Sequence, residues 1–479
     1  MFSGYMDENG TMSFLVTPLL ITGLMLLMAT GADWNADLAW YDQHRIEQIG
    51  LLSVTALGAL TIWHQDIVRS VAYLPRWVRW ALAWAWGLGL VSIAAASYPR
   101  YAALEWATLL LLLGLALLLG EQARRGMIQF DIWAIRLVVS LAVVIALKLM
   151  ASYLAALIAV GHLDTIMLFE GTFSNRRFFG QVASMAVPLL GYPLLKRDVS
   201  RIQWWGLYVL LSVWWMLIIV SGTRGTWVAL GAAAGALALV AWHACHRWLR
   251  IQLLAAMAGV LLFVLMFVWI PLWLGQDASI EDRLSNLATL SGRGALWHLA
   301  WMQIVAHPWL GIGPMHLAAI RNGFGAHPHN ALLQLAAEWG IPATLALLLP
   351  VASGLIVLLA GLLRLAVSHS LLLVCLTASL LAASVQSMVD GVIVIPYTQV
   401  WLALIAGWAL GVYARGTTQI VPASRLVRVG IPVLTLLALA ALLNGVYPEI
   451  FNRAEATKVF VDAGNQLIPP RYWAVGWIP

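Results

Sequence analysis

Apolar residues run along this chain in blocks of about twenty, the length a helix needs to cross a bilayer, with short polar breaks between them. The blocks lie near 13–30, 49–63, 80–97, 102–120, 137–160, 181–195, 204–220, 227–242, 252–273, 331–361, 371–389, 400–414 and 431–447. Several are short, so the pattern predicts twelve or thirteen transmembrane helices. Strings such as LLLLLGLALLLG at 109–120 are apolar all round and do not read as amphipathic surface helices. Asp7 and Glu8 precede the first block, where a cleaved signal peptide needs basic residues. The expected fold class is an all-α polytopic membrane protein, one integral membrane domain over 1–479.

Composition strengthens this reading. Of 479 residues, 62% are hydrophobic and 10% charged, against about 25% charged in soluble domains. An ordinary soluble enzyme and a disordered chain are both excluded. A net charge of +6 suggests nucleic acid in a soluble protein, but here it serves orientation in the bilayer, and no nucleic-acid partner is expected. With the N-terminus inside, the inner connections hold 15 of the 27 Lys and Arg, as the positive-inside bias requires. Cys245 and Cys375, in or beside apolar runs, are expected to be inert thiols. The Trp residues near span ends are expected to be interfacial anchors.

The outer segments are then 31–48, 98–101, 161–180, 221–226, 274–330, 390–399 and 448–479. The largest, 274–330, is expected to carry a helix through ALWHLAWMQIVA, capped by Ser291, stopped by Pro308 and lying on the membrane surface.

Candidate chemistry lies where polar residues break membrane rules. Outer-face arginines run against the charge bias: Arg176 and Arg177 in GTFSNRRFFG, Arg224 in VSGTRGTW, and Arg283, Arg293 and Arg321 in the large loop. Arg224 occupies a six-residue turn between two apolar runs, at a depth where a lipid phosphate or pyrophosphate lies. A planar guanidinium grips phosphate bidentately; headgroup snorkelling is the bland reading of any one arginine. For the set Arg176, Arg177, Arg224 and Arg293, anion binding is the better reading. Arg293 also stands at an expected helix N-terminus, which favours anions.

A second constellation is GFGAHPHN at 323–330. His327 and His329 flank Pro328, and Asn330 abuts the following helix. A histidine at the membrane boundary titrates near ambient pH and suits a general base. A metal site formed by His327 and His329 with His298, His307 or His316 is the competing reading. No HExxH or Asp-x-Asp supports it, and no metal or cofactor is expected. Asp390 in MVDGVIV is placed to orient an Arg or His. Glu338, read as nine residues beyond His329 in the same helix, and Lys148, read as mid-span, are functional candidates or members of structural pairs.

The order SNRRFFG, SGTRG, SGRGALW, HPWLGIGP and HPHNALLQLAAEWG resembles the O-antigen ligase and polymerase superfamily of bacterial envelope assembly. Its ligase branch carries His-[Asn/Ser/Gln]-x9-Gly-x-x-[Gly/Thr/Tyr]; His329, Asn330 and Gly340 fit, while the last position is Ala343. The resemblance spans about 173–343. It implies a glycosyltransferase-C-like membrane enzyme of the bacterial inner membrane, with a periplasmic active site. The implied partners are undecaprenyl-pyrophosphate-linked O-antigen and lipid A-core, besides membrane lipids. His329 matches the family's essential histidine, and Arg224 and Arg293 its essential arginines; Arg176 and Arg177 match more weakly. Asn175, His327, Asn330, Asp390 and Glu338 are expected to support them. With no carboxylate pair on the outer face to form a covalent glycosyl intermediate, a single inverting displacement is expected. The alternatives are a polymerase or a protein-glycosylating ligase of the same superfamily, and a lipid-linked oligosaccharide flippase or transporter.

Overall fold

The computed structural model describes residues 17–160, 167–275, 292–364, 367–415, 423–464 and 471–478. Arg283, the proposed Ser291 cap and the stretch 276–291 of the large loop lie outside the described residues. Each of the thirteen apolar runs is mainly helical where described, and no strand occurs among the described residues.

The helices are α1 (Thr17–Gly31), α2 (Trp40–Leu60), α3 (His64–Tyr73), α4 (Arg76–Ala95), α5 (Pro99–Ala155), α6 (Met167–Phe173), α7 (Arg176–Leu194), α8 (Arg201–Ser221), α9 (Arg224–Val264) and α10 (Ile270–Trp273). Beyond residue 291 follow α11 (Arg293–Ala306), α12 (Ala331–Trp339), α13 (Ile341–Arg364), α14 (Val367–Gln386), α15 (Pro396–Ala414), α16 (Arg425–Ile450) and α17 (Arg453–Asp462). Among the described residues, seven helices are long and apolar enough to cross a membrane, or eight if the bent pair α2–α3 counts as one span.

Two of the seven are too long for one crossing. At 57 residues, α5 would measure about 85 Å, nearly three bilayer cores. Its backbone breaks at Met127, where φ is 45°, and the two halves run antiparallel. Toward the N-terminus of α15, Thr108 approaches through Tyr472 and Arg45, and Lys148 through Thr30 and Tyr397. At its C-terminus, Trp408 and Arg415 meet Ala123 and Asp131. The Arg415 guanidinium binds the carbonyls of Ala123 and Met127 and the Asp131 carboxylate, which satisfies the backbone the break exposes. The first half of α5 packs closely on α15, where Gly407 and Gly411 leave no room for a Cβ against the backbone of Ala116 and Gly120, as small residues permit in membrane helices. Likewise α9 breaks at Ala241; Trp215 of α8 touches both halves, its ring against Trp227 and its Nε1 donating to Gln252.

Helix boundaries differ from the sequence reading in two places. The run expected at 49 begins at Trp40, and its polar first turns are buried because each side chain has a partner. Gln43 donates to Asp33 and to the carbonyls of Asn35 and Leu38, His44 meets Ala29 O, and Asp42 accepts from Ala474 N. The run 331–361 is not one helix. It breaks at Gly340 (φ 80°, ψ 161°), where the carbonyl of Trp309 occupies the space a side chain would need. At its other end α12 starts only at Ala331, so His329 lies outside it, and Glu338 lies in its last turn.

Candidate active site

The site is assembled at one end of the bundle by four helix starts and one loop. Asn175 caps α7 by accepting from Arg177 N, so Arg176 and Arg177 open that helix. Gly222, left-handed at φ 61°, ends α8 and lets the chain turn straight into Arg224 at the start of α9. The Arg176 guanidinium lies 3.9 Å from where a Gly222 side chain would begin. Gly292, at φ 74°, precedes Arg293 at the start of α11, and the helix ends at Ala306 just before Pro308. Gly180 packs so tightly on Thr223 and Thr226 that a Cβ would collide with both hydroxyls, which brings the ends of α7 and α9 together.

His329 sits at φ 52°, a backbone region that non-glycine residues occupy at a cost of about 1–3 kcal/mol. Several contacts hold it there. Its N–H donates to His327 Nδ1 at 3.2 Å, and the two rings lie 4.1 Å apart. Trp297 Nε1 of α11 donates to Pro328 O at 2.9 Å. Asn330 caps α12 by accepting from Leu333 N and donates to Met388 O, while Ala331 N donates to Ser387 O. The 387–395 loop is thereby fastened to the histidine loop, and it carries Asp390. The His329 Nδ1 lies 3.7 Å from Asp390 Oδ1, an ion-pair distance beyond a direct hydrogen bond. Asp390 is fixed by its own Gly391 N–H and by Gln386.

Electrostatics show which groups share this space. Burial pushes the Asp390 carboxyl up, but His329, the Gly391 N–H and Arg177 together outweigh it and hold the group below the usual carboxylate range. Arg293 is pulled down by burial, and further by the positive charges of Arg177 and Arg224, against Asp390. Its Nε is buried without a hydrogen-bond partner among the described residues. Arg177 and Arg293 thus act on Asp390, which faces His329, and Arg224 lies close enough to act on Arg293. The excess positive charge suits a polyanion. His327 is held well below the ordinary imidazole value by burial first, then by His329, Arg471 and Arg177; it is a neutral acceptor for the His329 N–H.

Not every candidate joins this group. The carboxylate of Glu338 points to Arg471 (2.5 Å) and accepts from Leu317 N; it braces the loop beneath the site. Lys148 donates to Thr30 O and lies over the Trp40 ring. Both His316 nitrogens are engaged, by Tyr98 N and Pro314 O. Among the described residues no three His, Cys, Asp or Glu side chains converge as a metal site would require. Arg321 lies over the Trp477 ring.

Two further buried cations lie on outer segments. Arg471 pairs with Glu105 and Glu338. Arg45 binds Gln48, Gln399 and the carbonyls of Val394, Arg471 and Tyr472. Both stand on outer segments against the positive-inside bias, as Arg224 does.

Residues 207–348 match the family model described as O-antigen ligase. This segment contains Arg224, Arg293 and His329, and ends beyond the Gly340 break. No curated protein matches the chain.

Proposed function

The match over 207–348 places the chain in the O-antigen ligase and polymerase superfamily, a family of glycosyltransferase-like membrane enzymes of lipopolysaccharide biosynthesis, and from that premise we propose that it is the ligase. In this reading it transfers O-antigen polysaccharide from undecaprenyl pyrophosphate to a sugar hydroxyl of lipid A-core, on the periplasmic face of the inner membrane. The observation that carries the reading is the cluster in which Arg177 and Arg293 act on the Asp390 that faces His329, with Arg224 acting on Arg293.

The division of labour follows from the chemistry. Breaking the bond between the anomeric carbon and the pyrophosphate oxygen sends an electron pair onto the leaving group. Guanidiniums held at helix starts stabilise that growing charge; Arg177, Arg224 and Arg293 do so, with Arg176 beside them. The acceptor hydroxyl needs a base. Asp390, on the Nδ1 side of His329, orients the ring and stabilises its protonated form, which leaves Nε2 to take the hydroxyl proton as the new carbon–oxygen bond forms. Such a base contributes roughly 10²–10⁴-fold. One displacement of this kind inverts the anomeric carbon, and the arginines neutralise the pyrophosphate without a metal.

The test is transfer by the purified protein, supplied with undecaprenyl-pyrophosphate-linked glycan, lipid A-core and EDTA. His329→Ala is expected to lower turnover roughly 10²–10⁴-fold while the donor still binds, and Arg224→Ala to weaken donor binding as well. Glycan lengthening on the carrier with lipid A-core untouched makes the protein the polymerase. Full activity in His329→Ala, or retention at the anomeric carbon, overturns the mechanism.

A further inference from the structure

At the end of the bundle opposite His329, α2, α3, α4, the first half of α5 and α16 enclose a cavity of about 570 Å3. Its place is set by α4, whose Ser92 donates to Leu310 O beneath the site. Arg76, at the other end of that helix, lies about 24 Å from Ser92 along it. The lining is almost wholly apolar, from Ala56, Val71, Leu110 and Leu113 to Ile431 and Leu434, and it holds no acidic residue. Arg76, exposed, and Arg79, partly buried, are its charged lining residues.

These two arginines differ from their neighbours. Arg69 and Arg125 pair with Asp66, and Arg124 with Glu121, whereas neither Arg76 nor Arg79 has a side-chain hydrogen bond or ion pair among the described residues. The amphipathic α3, bent 89° from α2, contributes Ile67 and Val71 to the wall. The volume falls within the ~300–1,000 Å3 range of sites for small ligands. A cavity with an apolar body and two unpaired guanidiniums at a membrane boundary matches a ligand with a hydrocarbon chain and a phosphate head.

We propose that this cavity is a binding site for an anionic phospholipid of the leaflet facing Arg76, with its phosphate on Arg76 and Arg79 and an acyl chain between α4, α5 and α16. Guanidiniums chelate phosphate, and basic pockets between membrane helices select anionic lipids. The site is independent of the transfer chemistry proposed for His329.

The test is lipid retention, by native mass spectrometry of the full chain in neutral detergent with equal phosphatidylglycerol and phosphatidylcholine. Wild type is expected to hold phosphatidylglycerol about tenfold in preference, as two guanidiniums at a lipid surface allow. Arg76→Gln with Arg79→Gln removes the preference, and Arg69→Ala leaves it. Gly114 and Gly430 line the cavity, and a Cβ at either meets open space, so Gly114→Leu with Gly430→Leu narrows it; this variant keeps both arginines and loses the retained lipid. Equal thermal unfolding of wild type and variants verifies that the fold is intact. No preference in wild type, an unchanged preference in the Gln variant, or retention of a polyprenyl phosphate in place of phosphatidylglycerol overturns the proposal.

Discussion

His329 and His327 are two residues apart in sequence and opposite in role, and the difference is environmental. His329 is partly open and faces Asp390, whereas His327 is buried, neutral and accepts a backbone N–H. Because burial holds His327 well below the ordinary imidazole value, the folded protein leaves it unprotonated while an unfolded chain takes up a proton below about pH 6.5. Its contribution to stability is therefore complete above that pH and declines as the solution is acidified through it. His316, also lowered by burial, acts in the same sense. Thermal unfolding in detergent should shift to lower temperature between about pH 7 and pH 5, and His327→Asn, whose Oδ1 can accept the same N–H, should flatten that slope. An identical slope in the variant would mean that other groups set the acid sensitivity.

At the scale of elements, a single glycine decides how the histidine loop meets the bundle. Gly340 combines φ 80° and ψ 161° with a backbone approach that excludes any side chain. The turn lets Ile312 N and Gly313 N donate to the carbonyls of Ala337 and Glu338, and Ile341 N to Pro308 O. The 307–330 segment is seated by these bonds. Gly340→Ala should cost at least ~1–3 kcal/mol of stability and reduce transfer, because the seat beneath His329 shifts. Gly354→Ala, in the middle of α13 with open space around it, should be neutral or slightly stabilising. Comparable unfolding midpoints for the two variants would refute this account. The motif glycine was legible in the sequence, but the break it makes was not. An apolar run from 331 to 361 reads as one helix, and the carbonyl of Trp309 that forbids it comes from a distant turn.

At the scale of the molecule, the C-terminal segment ties the site to the bundle. Arg471 joins Glu105 of α5 to Glu338 of α12, Tyr41 of α2 donates to Arg471 O, and Ile478 N donates to Ala318 O. Removing one member of such a buried network leaves an uncompensated charge, typically costing about 3–5 kcal/mol. Arg471→Ala should therefore destabilise the protein strongly, and adding Glu338→Gln should recover part of the loss; the double-mutant cycle reads the coupling. Additive effects in that cycle would show that Arg471 acts through Glu105 alone.

The sequence alone determined the class of the molecule, because a chain this apolar can satisfy its backbone inside a bilayer only as helices or a closed barrel, and its long apolar runs suit helices. It also marked Arg224, Arg293, His327, His329 and Asp390, since polar residues at a membrane boundary stand out against an apolar background. Only the tertiary structure decided which of them meet. Arg177 and Arg293 are more than a hundred positions apart, and their proximity depends on how α7, α9 and α11 begin at one end of the bundle. It also separated Glu338 from the site, by pairing it with an arginine 133 positions away. Local pattern reports what a residue costs to bury, whereas the partner that offsets the cost comes from the fold.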